Sequence, residues 1–450
     1  MKTRLGVVFF LLVVCLFASI DARGQVPVQS LYFQEAETAD AVYVFNTAER
    51  YKAFVAGGSA GAGITLPGRA AGGKKLIGEN ETAIDLYLFK HGLPAYERPP
   101  AKPAAPAFEV AWKDGRTTFK TKSAELRLSN RLQTRFTSES LDAGSATSRP
   151  ERESFRIRRF KTKLDGWVYS KDLEFELQVN WADTSILLDD ANVNFDLSRG
   201  RRAFMVKAGQ FKVPFGRQQL ASAMNQQFVD RAAVEDTFAR GRDIGVQLWG
   251  TPFKGLLDWR VGVFNGNGRS VTRNDNDDLQ LDARVTIQPF GDVKYSEGDF
   301  ESSGKFLLAI SGQVESSTRE VAASGGTPAQ QNEQSLWGGD VVVKFRGFSL
   351  LGEYFERRNQ PTISRDLDES GFIAQAGIFV VPKRLELALR YAVYDPDTGR
   401  DADARIESGV ALGYFFNQHV NKIQADFRKI EDEARGTEDR ELRLQYVLFF

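Results

Sequence analysis

The chain has 450 residues, 59 Lys or Arg against 59 Asp or Glu, and a mean hydropathy of -0.33. Zero formal net charge leaves no global field to attract nucleic acid, and no apolar run of about 18 residues follows the first two dozen, which excludes a bundle of membrane-spanning helices. The single cysteine, Cys15, leaves the rest of the chain without disulfides or cysteine metal sites.

The first residues read as an export signal. Lys2 and Arg4 precede an apolar run, Leu5 to Phe17, and small residues follow at Ala18, Ser19 and Ala22. A run of about 13 residues is too short to span a bilayer and fits a signal-peptide core, so residues 1–22 are expected to be removed. Residues 23–110 form an irregular extension, expected in the periplasm. Short helices are expected over Glu35 to Tyr51 and Glu79 to Lys90, around a Gly-rich tract (Gly57 to Gly73) and before a stiff Pro/Ala linker (Pro94 to Ala107). The run Gly58 to Gly63 has no Lys-Ser/Thr after it, so it is not a phosphate loop.

Residues 111–450 change character. Strands of period 2 follow one another, each near the roughly 9 to 11 residues a tilted membrane strand needs. Ser123 to Thr137 sets Leu126, Leu128, Leu132 and Phe136 against Arg127, Arg131, Gln133 and Arg135. Similar faces recur at Leu173 to Trp181, Ala191 to Leu197, Arg242 to Gly250, Leu257 to Val263, Leu279 to Ile287, Trp337 to Phe345, Phe372 to Val380, Leu385 to Val393, Ile406 to Tyr414, Ile423 to Phe427 and Leu442 to Phe450. With four less regular segments, 154–168, 202–213, 305–314 and 348–357, the count is about sixteen. Short turns alternate with long polar loops such as Glu315 to Ser335 and Arg358 to Glu369; one connection, Gly291 to Gly304, is long on the short side.

A soluble sandwich would show the same alternation with its apolar face in a core. Strand number, loop asymmetry, the export signal and a terminal strand ending on Phe450 together point to an all-β transmembrane antiparallel β-barrel, apolar face to lipid and polar face to water. Between Lys207 and Gly250 the strand pattern is broken at Pro214 and Gly216 and resumes near Arg242. A connection this long inside a compact unit is generally functional. Its apolar anchors (Leu220, Met224, Phe228, Val234, Phe238) and charges fit an inward-folded constriction loop, with Lys212, Arg217, Asp230, Arg231, Arg240 and Arg242 as candidate lining.

The first hairpin is the most charged lumen candidate. Arg127, Arg131 and Arg135 stand on one face at steps of roughly 13 Å, and Arg156, Arg158, Lys161 and Lys163 return antiparallel, with a bulge expected at Arg159. Facing lipid, each would cost about 2 to 4 kcal/mol near the midplane, so they face inward. Rows of weak positive sites suit anion conduction without a deep trap. Pairing across the wall with inward carboxylates such as Glu174, Glu176 and Asp190 is the structural alternative.

The run AGQFKVPFGRQQL, then FVDRA, RDIGVQLWG, VGVFNGNG and ALRYAVYD, with the opening WKDGRTTFKTKSAELRLSNRLQTRF, resembles the phosphate-selective porin O and P family over Trp112 to Phe450. The resemblance implies a sixteen-stranded trimeric outer-membrane porin whose third external loop, here Gly216 to Arg242, narrows the pore. It also implies an arginine ladder leading anions to a lysine-lined site, for which Lys161, Lys163 and Lys212 are candidates. The expected function is passive, anion-biased diffusion of phosphate-like solutes; the alternatives are a general, weakly selective porin and a structural or adhesive barrel. A terminal Phe450 resembles the signal read by the barrel-assembly machinery. No enzyme, cofactor, metal or nucleic-acid role is expected: the two histidines, His91 and His419, are isolated, and the acidic loop Val271 to Asp278 lacks calcium-loop spacing.

Overall fold

The computed structural model describes residues 32–61, 63–96, 108–142, 151–182, 186–300, 304–322 and 329–450. The expected export signal and most of the linker lie outside them. The chain divides into two compact units, Met1–Ala105 and Pro106–Phe450.

The first unit is a small α/β fold. Strands β1 (Gln34–Glu37), β2 (Ala41–Phe45), β3 (Ile64–Leu66) and β4 (Lys75–Gly78) form one sheet in the order β1-β2-β4-β3. Helices α1 (Ala48–Val55) and α2 (Glu81–Lys90) accompany it, and Asn80 caps α2 by accepting the Ala83 N–H at 3.0 Å. The helix expected over Glu35 to Tyr51 is therefore largely strand. The β-branched and aromatic run Ala41-Val-Tyr-Val-Phe45 favours a pleated surface and buries Val42 and Val44 against Leu76, Ile84 and Tyr87. The Gly-rich tract also contains a strand, β3.

The second unit is a closed barrel of sixteen antiparallel strands. They are β7 (Ala124–Ser140), β8 (Glu151–Val168), β9 (Leu173–Asn180), β10 (Leu187–Asp196), β11 (Met205–Lys212), β12 (Arg242–Gly250), β13 (Leu257–Phe264), β14 (Gln280–Ile287), β15 (Leu307–Val321), β16 (Gln330–Phe345), β17 (Phe348–Pro361), β18 (Leu367–Val381), β19 (Leu385–Asp395), β20 (Arg405–Asn417), β21 (Asn421–Asp432) and β22 (Thr437–Phe449). β22 closes the ring on β7, from Arg440 opposite Ser140 to Phe449 opposite Arg131. Below that point β7 would present a bare edge, and a hairpin outside the expected sixteen, β5 (Glu109–Lys113) and β6 (Arg116–Lys120), pairs with it from Glu125 to Ser129.

The alternation along β14 decides which side meets lipid. Leu281, Val285 and Ile287 are 55%, 46% and 51% exposed, whereas Asp282, Arg284 and Thr286 are buried. Apolar side chains out and charged side chains in is the reverse of a soluble core. Aromatic pairs such as Phe204–Trp259 and Phe290–Phe306 cluster near the short-turn end, as an interfacial girdle does.

Two expectations about strand limits change. The loops Glu315 to Ser335 and Arg358 to Glu369 are shorter than expected, because β15 to β18 continue past the apolar band as polar hairpins. The bulge in β8 falls one residue earlier than expected: Gln133 pairs with Arg159 and Thr134 with Ile157, which leaves Arg158 as the extra residue.

Candidate functional site

The segment between β11 and β12 carries two short helices, α3 (Arg217–Leu220) and α4 (Ala233–Phe238), and is bonded to inward-facing side chains on the opposite wall. Its backbone N–H groups donate to that wall. Arg217 N–H reaches Glu353 Oε1 (2.6 Å), Val229 N–H reaches Asp426 Oδ2 (2.9 Å) and Ala233 N–H reaches Glu407 Oε2 (2.9 Å). Each carboxylate is buried, and each satisfies a donor that would otherwise be stranded. An apolar patch completes the seat: Phe215, Val234 and Phe238 pack on Leu336, Phe355 and Ile373, with the Phe238 and Phe355 rings stacked at 5.2 Å.

Of the five apolar anchors expected in this segment, Phe228, Val234 and Phe238 are buried against the wall, whereas Leu220 and Met224 face the remaining opening. The long connection between β14 and β15 also folds in, from the short-turn end. Val293 packs against Ala309, Val342 and Leu351, and Glu297 accepts the Gln227 N–H at 2.7 Å, so the two infolded segments meet.

A cavity of about 1170 Å³ stays open along the β7–β13 side. Fourteen of its lining residues are Lys or Arg and three are Asp or Glu. Of the expected row on β7 and β8, Arg131, Arg158, Lys161 and Lys163 line it. Arg127, Arg135 and Arg156 do not: Arg127 is paired with Asp165 at 2.5 Å, Arg135 is buried, and Arg156 is exposed opposite Arg135. Of the loop candidates, Lys212, Arg231, Arg240 and Arg242 line the cavity. Arg217 points elsewhere, donating to the Val293 carbonyl at 3.2 Å and lying over the Tyr295 ring.

Asp230 gathers the arginines. It accepts from Arg135 Nη1 at 2.5 Å and from Arg159 Nη2 at 3.4 Å, and lies 3.6 Å from Arg443 and 3.7 Å from Arg158. The bulge explains how adjacent residues Arg158 and Arg159 both reach it. Arg443 is also held by Asp426 and lies 3.5 Å from Glu441, so Asp230 is left as the carboxylate partner of Arg135, Arg158 and Arg159. Elsewhere Arg242 makes a bidentate pair with Asp190 (3.0 and 2.7 Å), and Asp189 takes Lys161 together with Arg269. Lys163 pairs with Glu176 at 2.8 Å and Arg240 with Glu315 at 3.6 Å. Six lining cations make no ion pair with a described residue: Lys113, Arg116, Arg131, Lys207, Lys212 and Arg231.

A profile described as phosphate-selective porin O and P matches residues 131–448, more than half of the chain. The chain belongs to that family. Membership and the closed barrel make it a porin of the bacterial outer membrane, a channel fold rather than an enzyme fold. Solved porins share the fold at low identity. The anion-selective porin from Comamonas acidovorans is 14% identical (TM-score 0.51; 73% of this chain, 100% of that one). The outer membrane channel DcaP of Acinetobacter baumannii is 12% identical (TM-score 0.52; 74% and 99%), and OmpT of Vibrio cholerae is 11% identical (TM-score 0.51; 74% and 99%). No curated protein matches the chain.

Two of the motifs read from the sequence now have a physical reason. Asp243 of RDIGVQLWG accepts the N–H groups of Gly266 and Gly268 at 3.0 and 2.9 Å, so VFNGNG closes on the next strand through glycines with φ of +91° and +86°. The sequence reading missed Asp189, Lys207, Arg260, Arg269 and Arg443 in this porin. Asp189 carried a signal, since consecutive acids in Leu187-Leu-Asp-Asp190 break the period, and the register shifts between Leu188 and Asp190.

Proposed function

We propose that this porin mediates passive, anion-biased diffusion of phosphate-like solutes, with the Gly216 to Arg242 segment as its constriction and the cations of β7, β8 and that segment as the anion pathway. The observation that carries the reading is the lining of the open cavity, fourteen basic residues against three acidic ones in a chain whose formal charges cancel. A low-dielectric wall of one sign concentrates counter-ions and raises their entry rate. Conduction needs favourable binding that is spread over several weak sites, and the six lining cations without a paired carboxylate supply them. The porin from Comamonas acidovorans, described as anion-selective, is a precedent for anion selectivity on this fold.

The same reading takes residues 1–22 as an export leader, the extension over 23–110 as periplasmic, Phe450 as the mark for the barrel-assembly machinery and a homotrimer as the assembled state. Planar-bilayer recording of the purified protein under a KCl gradient tests the channel. A reversal potential on the chloride side, with phosphate reducing the chloride current, is expected. Potassium preference would overturn the proposal. A second reading, a general porin, is favoured by the other eight lining cations, each within ion-pair distance of a carboxylate. Chloride preference without phosphate block would select it.

A further inference from the structure

The β5–β6 hairpin lies outside the span matched by the family profile, which begins at residue 131. Its turn is Lys113-Asp114-Gly115-Arg116, with Lys113 paired to Arg116 and φ of +50° at Asp114 and +76° at Gly115. Two positive φ values in a two-residue loop define the type I′ hairpin, for which Asp-Gly is a favoured sequence. The hairpin is two-faced. Val110 and Trp112 are exposed on one side (55% and 71%), whereas Lys113, Arg116 and Thr118 line the passage on the other.

The tip is held in place by the last turn of the wall. A Cβ on Gly115 would sit 2.7 Å from both the Phe449 ring and its carbonyl oxygen, and the Arg116 guanidinium lies over that ring at 5.5 Å. Phe450 in turn exchanges backbone hydrogen bonds with Asn130, donating at 3.0 Å and accepting at 2.5 Å. The hairpin therefore fills the notch that barrel stagger leaves between the end of β22 and the lower half of β7. A plug needs no charge on its inner face. This one supplies Lys113 and Arg116, two of the six lining cations without an ion-pair partner among the described residues, and only one lining acid, Asp114.

We propose that the Lys113–Arg116 tip is a specificity-determining rim of the passage at its short-turn end, drawing small oxyanions such as phosphate toward the unpaired cations Arg131, Lys207 and Lys212. The inference rests on the anion-channel reading above. The tip is fixed to the final strand, so its charges hold a constant position relative to the wall and act on ions entering from that end. The cations of the infolded loop act nearer the middle.

The test compares the wild-type porin with Lys113→Gln/Arg116→Gln in oriented bilayers. Two unit charges acting through water at roughly 10 Å under physiological screening shift the anion-to-cation permeability ratio about twofold. The ratio is expected to fall by that factor in the double variant, with a changed current asymmetry between the two polarities in symmetric KCl. To separate charge from folding, Lys113→Cys, the one cysteine left once the export leader carrying Cys15 is removed, is modified after reconstitution. A sulfonate-bearing thiol reagent should lower the ratio and a trimethylammonium-bearing one should restore it. Equal ratios with both reagents, or a double variant that loses heat resistance while keeping wild-type selectivity, would make the hairpin a plug only and overturn the proposal. A wild-type channel without anion preference would instead sink the reading on which it rests.

Discussion

The two halves of the barrel wall use the same alternation for opposite ends. Along β15 to β21 the inward carboxylates Glu353, Glu407 and Asp426 are consumed by backbone N–H groups of the infolded segment, and apolar residues Leu336, Phe355 and Ile373 receive its rings. Along β7 to β13 Arg135 is buried beneath the infolded segment, but Arg131, Arg158, Lys161, Lys163 and Lys207 line a cavity that stays open beside it. The contrast resolves an apparent paradox of composition. A chain with equal numbers of acids and bases has a cavity lined mainly by cations, and four buried acids of the other half, Glu353, Glu386, Glu407 and Asp426, are taken up as hydrogen-bond acceptors for the infolded segment. Under the proposed anion-channel function, selectivity depends as much on hiding negative charge as on displaying positive charge.

The largest expected effect comes from breaking the open half. Arg131→Glu with Arg158→Glu puts two negative charges where two positive ones line the passage. At an effective dielectric of 20, a unit charge at roughly 8 Å is worth about 2 kcal/mol, more than a tenfold change in occupancy. The reversal potential in a KCl gradient should change sign or fall to zero, while the heat resistance of the assembled protein stays near that of wild type. An unchanged reversal potential would show that the passage charge does not set selectivity.

Breaking the closed half should come next. Asp426→Ala removes the acceptor of Val229 N–H and the bidentate partner of Arg443, which it holds at 2.7 and 2.8 Å. Stripping one member from a buried pair costs about 3 to 5 kcal/mol, and here that cost falls on the seat of the infolded segment. Single-channel records should show larger, noisier openings with weaker ion preference. Steady wild-type openings would mean that the segment is held without the carboxylates.

Much of this division was visible in the residues, and the places where the reading blurred are informative. Regular alternation made the barrel legible, because lipid and water impose opposite demands on successive positions. Four segments were irregular, and each has a physical cause. In 154–168 it is the bulge at Arg158; in 202–213 it is Phe211 and Val213, which turn inward to a buried cluster; in 305–314 it is Ala309, packed under Val293; in 348–357 it is Leu351 and Phe355, apolar residues on the inward face. The period breaks where infolded chain meets the wall. The long connection at Gly291 to Gly304 was a second such sign. The hairpin at Asp114-Gly115 had a turn signature as well, but its strands of five residues are too short for periodicity to separate from the linker. The pairing of Asp230 with arginines from β7, β8 and β22 was not legible, since contacts across a barrel depend on register and on where a loop lands.

The smallest expected effect sharpens the comparison by leaving both halves alone. Arg358 and Asp366 form an ion pair at 3.2 Å with side chains 57% and 52% exposed, on the outward face of the polar hairpin between β17 and β18. Its neighbour Arg357 faces inward and is bound to Glu369, so adjacent arginines of one strand sample the two environments. An exposed pair contributes less than about 1 kcal/mol, and charges outside the wall are screened over about 8 Å at physiological salt. Arg358→Gln with Asp366→Asn should therefore change neither heat resistance nor reversal potential measurably. Arg357→Gln, by contrast, removes a buried guanidinium that also donates to the Thr237 carbonyl at 3.0 Å and covers the Phe238 ring, and should loosen the end of α4. If the outward pair altered selectivity as much as an inward residue did, the sidedness of the strands, and with it the distinction between a covered and an open half, would fail.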